Sequence, residues 1–209
     1  MLENVELFCH NSIKITGSKT IYIDPFRLEK SYHDADYVFS THTHYDHFSE
    51  EDIEKILKED TVIITPDSSR ELACDLTKDR ERVKIVEPAN EYELPGIKFS
   101  TTYAFNKEVL YHTKQEKWVG YIIELDSVKY YIAGDTDNIK ELKDVECDVA
   151  FLPVGGKYTM GYAEAAGLAN TIKAKIVVPT HYGCIVGEKE DAEKFAKLVR
   201  EKEVRILIK

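Results

Sequence analysis

The chain has 209 residues, 43% of them hydrophobic, enough to bury a substantial core in one domain or at most two. Its 38 acidic and 28 basic side chains leave a net charge of −10, which repels phosphate backbones and argues against a nucleic-acid partner. No apolar run reaches the ~18 residues of a membrane span, and Glu3 and Glu6 stand where a signal peptide would be basic, so a cytoplasmic protein with no membrane association is expected.

In chain order, short apolar runs at 5–9, 12–15 and 20–23 predict strands. Another at 37–40 runs into a histidine-rich segment. Ser49, with Asp52 three residues on, reads as the N-cap of a helix with Ile53, Ile56 and Leu57 on its apolar face. A strand at 61–65 stops at Pro66, followed by a helix over 69–76 and strands at 83–86 and 97–102. Residues 121–125 and 128–132 predict a hairpin about Asp126–Ser127, and a short helix is expected near 139–143. Apolar strands at 149–152 and 176–178 flank a helix over 163–172. A last helix over 191–200 buries Ala192, Phe195, Leu198 and Val199, and a strand at 204–208 closes the chain. Two sheets covered by helices, an α/β (α+β) arrangement in a single domain over 1–209, accommodate this order.

Cys9, Cys74, Cys147 and Cys184 form no CxxC pair and are widely scattered. They predict buried reduced thiols rather than a disulfide framework or a zinc knuckle, with Cys184 set apart by lying three residues after His181.

The segment Ser40-Thr41-His42-Thr43-His44-Tyr45-Asp46-His47 carries the chemistry. Residues i and i+2 of an extended strand end project to one side, so His42 and His44 can grip one metal ion. Asp46 and His47 follow where the chain turns toward the Ser49 helix, and can serve a neighbouring position. Imidazole and carboxylate together suit zinc, manganese or iron in a site with an open position. Further ligands must come from elsewhere. Asp135, in Gly134-Asp135-Thr136-Asp137 after a strand, is placed to bridge two cations, and His181 in Pro179-Thr180-His181 again sits just past a strand. Asp137 reads equally as a helix N-cap.

These residues, in this order, resemble the metallo-β-lactamase superfamily: HxHxDH at His42 to His47, GDT at Asp135 and a late His181. Phe8-Cys9-His10-Asn11-Ser12 is similar to that family's GHxS start, and Tyr22-Ile23-Asp24-Pro25 to its IDP. Leu152-Pro153-Val154-Gly155-Gly156 with Tyr158-Thr159-Met160 and Glu164-Ala165-Ala166 resembles the branch of the ascorbate-6-phosphate lactonase-like hydrolases. The resemblance implies an αββα four-layer sandwich. It places one metal on His42 and His44 and a second on Asp46, His47 and His181, with Asp135 between them.

The pattern departs in one place. Where relatives carry a further histidine ligand, this chain has Asn106, in Ala104-Phe105-Asn106, and His112 six residues on is the alternative donor. An amide oxygen is the poorer ligand for such metals. The expected activity is hydrolysis of a small-molecule ester, lactone or phosphodiester by water activated on one or two divalent ions, zinc first, with Asp46 also orienting the nucleophile. His10 is expected to hold a ligand carboxylate in place. Gly155, Gly156, Thr159 and Met160 are expected to line the substrate cleft. An iron-dependent oxidoreductase, a nuclease and a non-catalytic metal binder are the competing readings, and a homo-oligomer is compatible with all of them.

Overall fold

Short apolar strands, most of them buried on both faces, build the two sheets of this protein. The computed structural model describes residues 1–108 and 111–208. The first sheet takes β1 (Val5–Leu7), β2 (Ile13–Thr16), β3 (Thr20–Ile23), β4 (Tyr37–Phe39), β5 (Val62–Pro66) and β6 (Val83–Val86) in sequence order. It is antiparallel as far as β3 and parallel from β3 to β6. The second runs β7 (Glu91–Leu94), β8 (Ile97–Tyr103), β9 (Val119–Leu125), β10 (Val128–Ile132), β11 (Val149–Pro153), β12 (Ile176–Thr180) and β13 (Glu203–Val204). It too begins antiparallel and becomes parallel, from β10 onward.

Odd and even residues of the same strands face different layers. Tyr37, Phe39 and Ile64 of the first sheet meet Val119, Tyr121, Val149, Phe151 and Val178 of the second in one core between the sheets. Their neighbours Val38 and Ile63 point outward, onto Ile53 of α1 (Glu50–Glu54) and Ala73 of α2 (Arg70–Thr77). Ala150, Leu152 and Val177 likewise point outward, onto Ala165 and Leu168 of α3 (Tyr162–Thr171) and Phe195 of α4 (Lys189–Leu198). The layers are therefore helix, sheet, sheet, helix: the expected αββα sandwich. Each fully buried aliphatic or aromatic side chain in these cores contributes about 1.5–3 kcal/mol. No helix among the described residues is long and apolar enough to cross a membrane.

Most predicted elements form, with four differences of physical origin. β7 escapes the sequence because Glu91-Tyr92-Glu93-Leu94 has only two apolar residues, both half-buried on an edge strand. The short helix near 139–143 is a single tight turn, Lys140–Leu142. The strand at 204–208 pairs only at Glu203–Val204. The last helix starts two residues early because Glu188 and Asp191 cap it reciprocally. Ser49 caps α1 as expected, accepting from the Asp52 amide. The Asp126–Ser127 turn has φ of 50° and 65°, the left-handed pair of a two-residue hairpin.

What the fold does for the site is bring loops from both sheets to one edge. The chain leaves the carboxyl ends of β3, β4, β10 and β12 there, carrying Asp24, residues 40–47, Asp135 and His181. The sheets are stitched at this edge: the Tyr121 hydroxyl donates to the Ser40 carbonyl at 2.7 Å, and the Val119 amide to the Thr41 carbonyl at 3.2 Å.

Candidate metal centre

Asp135 sits at the middle of a cluster of imidazoles and is only 4% exposed. One of its oxygens lies 3.3 Å from His47 Nε2 and 3.1 Å from His181 Nε2, and the other lies 3.4 Å from His112 Nε2. Around it the ligand-type atoms converge in three overlapping groups: His42, His44 and His112; His42, His47 and Asp135; and His10, Asp46, His47 and His181. Gly134 enables the approach. Its φ of 67° is open to glycine, and a Cβ there would crowd Thr41.

The ring orientations are set from behind. Thr41 Oγ1 donates to Asp24 and stands 3.0 Å from His42 Nδ1, which can donate to it. Asp24 Oδ2 lies 2.7 Å from His47 Nδ1. Asn106 Oδ1 lies 2.7 Å from His112 Nδ1. In each case a hydrogen on Nδ1 satisfies the contact and leaves the Nε2 lone pair aimed inward, as a metal-binding histidine requires. His44 turns the other way, its Nδ1 3.2 Å from His42 Nε2.

The donor set fits a metal. His10 Nε2, His47 Nε2, His112 Nε2, His181 Nε2 and Asp135 Oδ1 are all buried, and none makes a hydrogen bond. Several approach an oxygen closely without hydrogen-bond alignment, His10 Nε2 and Asp46 Oδ2 at 3.0 Å among them. Buried polar atoms in that state are costly unless ordered water or a cation satisfies them, and so many converging imidazoles with a carboxylate suit a cation. Protonation states agree at three of the rings. Burial lowers His10 and His112 to about 4, with Asp46 and Asp135 opposing, and takes His42 well below its usual value, so these rings are neutral donors at pH 7. At His47 burial would lower the pKa, but Asp135 and Asp24 beside it raise it to about 9, so this ring gives up a proton when it ligates. Burial would raise Asp46, but His10 and His47 beside it hold it at about 2.

The structure therefore brings His42, His44, Asp46, His47, Asp135, His181 and His112 to one place. Asn106 is not among the convergent donors. Its oxygen faces His112, while its Nδ2 donates to Asp137 Oδ1 and to the Tyr158 carbonyl, both at 2.9 Å. The loop closes because the Asn106 amide donates to the His112 carbonyl at 2.8 Å. Asn106→Ala should leave the fold intact and weaken metal retention at the His42–His44–His112 group about 10- to 100-fold, the usual effect of losing such a support. Chelator titration of the variant against the parent would measure it. Unchanged retention would remove Asn106 from the site.

His10 touches Asp46 as expected, and its ring also lies 3.5 Å, centroid to centroid, from that of His181. Asp24 was missed as a site residue. Its signal is the Ile23-Asp24-Pro25 motif: a carboxylate at a strand end, fully buried, with φ of 45°. The expected cleft needs correction. Gly156 and Thr159 do line a cleft of about 310 Å³ with Asn106, Lys107, Asp137 and Tyr158. Met160 does not line it: its side chain is fully buried in the core beneath α3. Gly155 is needed for packing, since a Cβ there would run into the His181 carbonyl. The reading of four reduced thiols is also overturned, because Cys9 and Cys184 form a disulfide; Cys74 and Cys147 remain free.

Comparison with known proteins agrees with this geometry. The profile of the β-lactamase superfamily domain matches residues 4–181. A protein of Lysinibacillus sphaericus named UPF0173 metal-dependent hydrolase is 32% identical, over 95% of this chain and 93% of its own. One of the same name from Thermococcus onnurineus is also 32% identical, over 98% of this chain and 96% of its own. Among solved structures, a protein of Parabacteroides distasonis provisionally named a metal-dependent hydrolase superposes with a TM-score of 0.77 at 30% identity, covering 98% of this chain and 93% of that one. With the match spanning residues 4–181, and so every converging side chain from His10 to His181, the chain belongs to the metallo-β-lactamase superfamily and is a metal-dependent hydrolase.

Proposed function

We propose that the protein is a binuclear hydrolase, zinc-dependent, acting on an ester, lactone or phosphodiester bond of a small molecule in the cytoplasm. The observation that carries this reading is Asp135 set among His47, His112 and His181, whose Nε2 atoms are buried and make no hydrogen bond. His42, His44 and His112 would hold one ion, Asp46, His47 and His181 the other, and Asp135 would serve both. Bound there, the ions would supply Lewis acidity, bringing the pKa of water toward neutrality and drawing charge from the bond being broken.

The chain's own residues account for the rest. Asp46 is ionised, half-buried and held by His10, so it can ligate and can accept a proton-bearing nucleophile's hydrogen bond. The cleft beside Asn106 receives the body of the substrate, with the exposed amide backbone at Gly156 and the Tyr158 ring as its walls; Tyr111 packs edge-on against that ring. The net charge of −10 supports a small molecule over a nucleic acid as substrate.

The test is metal content by elemental mass spectrometry on protein purified without chelators, followed by a panel of lactones, carboxylic esters and phosphodiesters. About two equivalents of zinc and turnover on one of these classes is the expected result. Two equivalents of iron with dioxygen consumption would replace the reading with an oxidoreductase. No metal after incubation with zinc, manganese and iron would end it.

A further inference from the structure

The Cys9–Cys184 disulfide joins positions 175 residues apart, and it joins the two segments that carry His10 and His181. His10 follows Cys9 directly, and His181 precedes Cys184 by three residues. Both histidines have left-handed backbones, with φ of 62° and 59°, a conformation that a non-glycine residue keeps only where its surroundings enforce it. Two ties enforce it here. The His181 amide donates to the His10 carbonyl at 2.8 Å, and the disulfide closes the same pair of segments covalently. The bond is open to chemistry as well. Both sulfurs belong to half-buried residues, and the Arg27 guanidinium donates to Cys184 Sγ at 3.0 Å. A cation in that position stabilises a thiolate and makes Cys184 the better leaving group.

We propose that Cys9 and Cys184 form a thiol–disulfide exchange site for a dithiol reductant, and that its state sets how firmly the Asp46–His47–His181 half of the centre holds its metal. The inference rests on the metal-centre reading above. In the opening step one thiolate of the dithiol attacks Cys9 Sγ, the Cys9–Cys184 bond breaks, and Cys184 leaves as a thiolate beside Arg27. The second thiol of the reductant, after losing its proton to solvent, attacks the mixed disulfide and releases Cys9 as a thiolate that takes up a proton. The protein gains two electrons, and the dithiol becomes a cyclic disulfide. With the tie gone, His10 and His181 are held together by one backbone hydrogen bond, and the support that His10 gives Asp46 loosens with it.

The experiment compares two zinc-loaded samples of the full chain. One is kept oxidised. The other is treated with dithiothreitol, desalted without air and then loaded with zinc. Thiol titration in denaturant should find two thiols in the first, Cys74 and Cys147, and four in the second. A metallochromic chelator should then draw the more weakly held zinc equivalent from the reduced sample about tenfold faster or more, the scale on which supporting contacts act on metal affinity. Cys184→Ser should release zinc at the fast rate with or without the dithiol. Arg27→Gln should slow opening by the dithiol and leave zinc release from the oxidised protein unchanged. Four thiols in the untreated protein, or equal release from samples with two and four thiols, would overturn the proposal while leaving the metal centre standing. Failure of either sample to bind zinc would overturn both. If Cys184→Ser does not fold, the two samples of unaltered sequence decide the matter alone.

Discussion

Asp135→Ala should lower turnover by about 10³-fold or more and reduce bound metal from two equivalents to one or none. The residue is the only carboxylate among the described residues within reach of His47, His112 and His181 together, so it is the group that the two halves of a binuclear centre would share. Its ionisation is secured: burial would raise its pKa, but His181 and His47 hold it well below the usual range. Removing it takes away the one fixed negative charge that both cations would face, in an interior where charges are weakly screened. A loss of 10³ corresponds to about 4 kcal/mol of transition-state stabilisation, within the several kcal/mol that a catalytic cation supplies. Asp135→Asn keeps the shape and removes the charge, and should fall nearly as far. Elemental analysis beside steady-state rates would check both variants, with circular dichroism to confirm folding. Full metal and full rate in either would mean that Asp135 is not shared.

The parts of this site that the sequence makes legible are those written locally. His42, His44, Asp46 and His47 fall within six residues after a strand of three, and spacing alone suggests what they do. The parallel strands are legible for the same reason, since both faces of β11 and β12 are buried and the runs are continuously apolar. What is not legible depends on where loops go in space. Of the two alternative donors, His112 faces the centre and Asn106 stands behind it, a choice that spacing leaves open. Met160 reads as a cleft residue because it adjoins Thr159, yet its side chain packs into the core under α3. The Cys9–Cys184 bond could not be read from spacing, because the sulfurs meet only when the first sheet's opening loop is laid beside the second sheet's β12. Asp24 lies between these cases: its motif was visible, but its partner His47 is 23 residues away.

Asp24 yields the sharper test of how the centre is tuned, because two substitutions there should separate stability from metal binding. Its carboxylate accepts from four donors: the Asn11 side-chain amide at 2.7 Å, the Thr41 amide and hydroxyl at 2.8 Å each, and His47 Nδ1 at 2.7 Å. All are buried. Asp24→Ala leaves them without an acceptor and should destabilise the metal-free protein by about 3–5 kcal/mol, visible as a Tm lower by roughly 10 °C for a chain of this size. Asp24→Asn preserves shape and one acceptor oxygen, so it should cost less stability. It should nonetheless damage the centre. If the new amide nitrogen faces His47, Nδ1 must become the acceptor and the hydrogen moves to Nε2, the atom that points at Asp135. A protonated Nε2 cannot ligate, so metal at the Asp46–His47–His181 group should weaken about 10- to 100-fold or more in a protein that still folds. Thermal melts of metal-free protein, chelator titration of the loaded protein and the nitrogen shifts of the His47 ring would measure the three quantities. An Asn variant with parental zinc retention would show that Asp24 serves only to fasten the loops, and that the tautomer of His47 is set elsewhere.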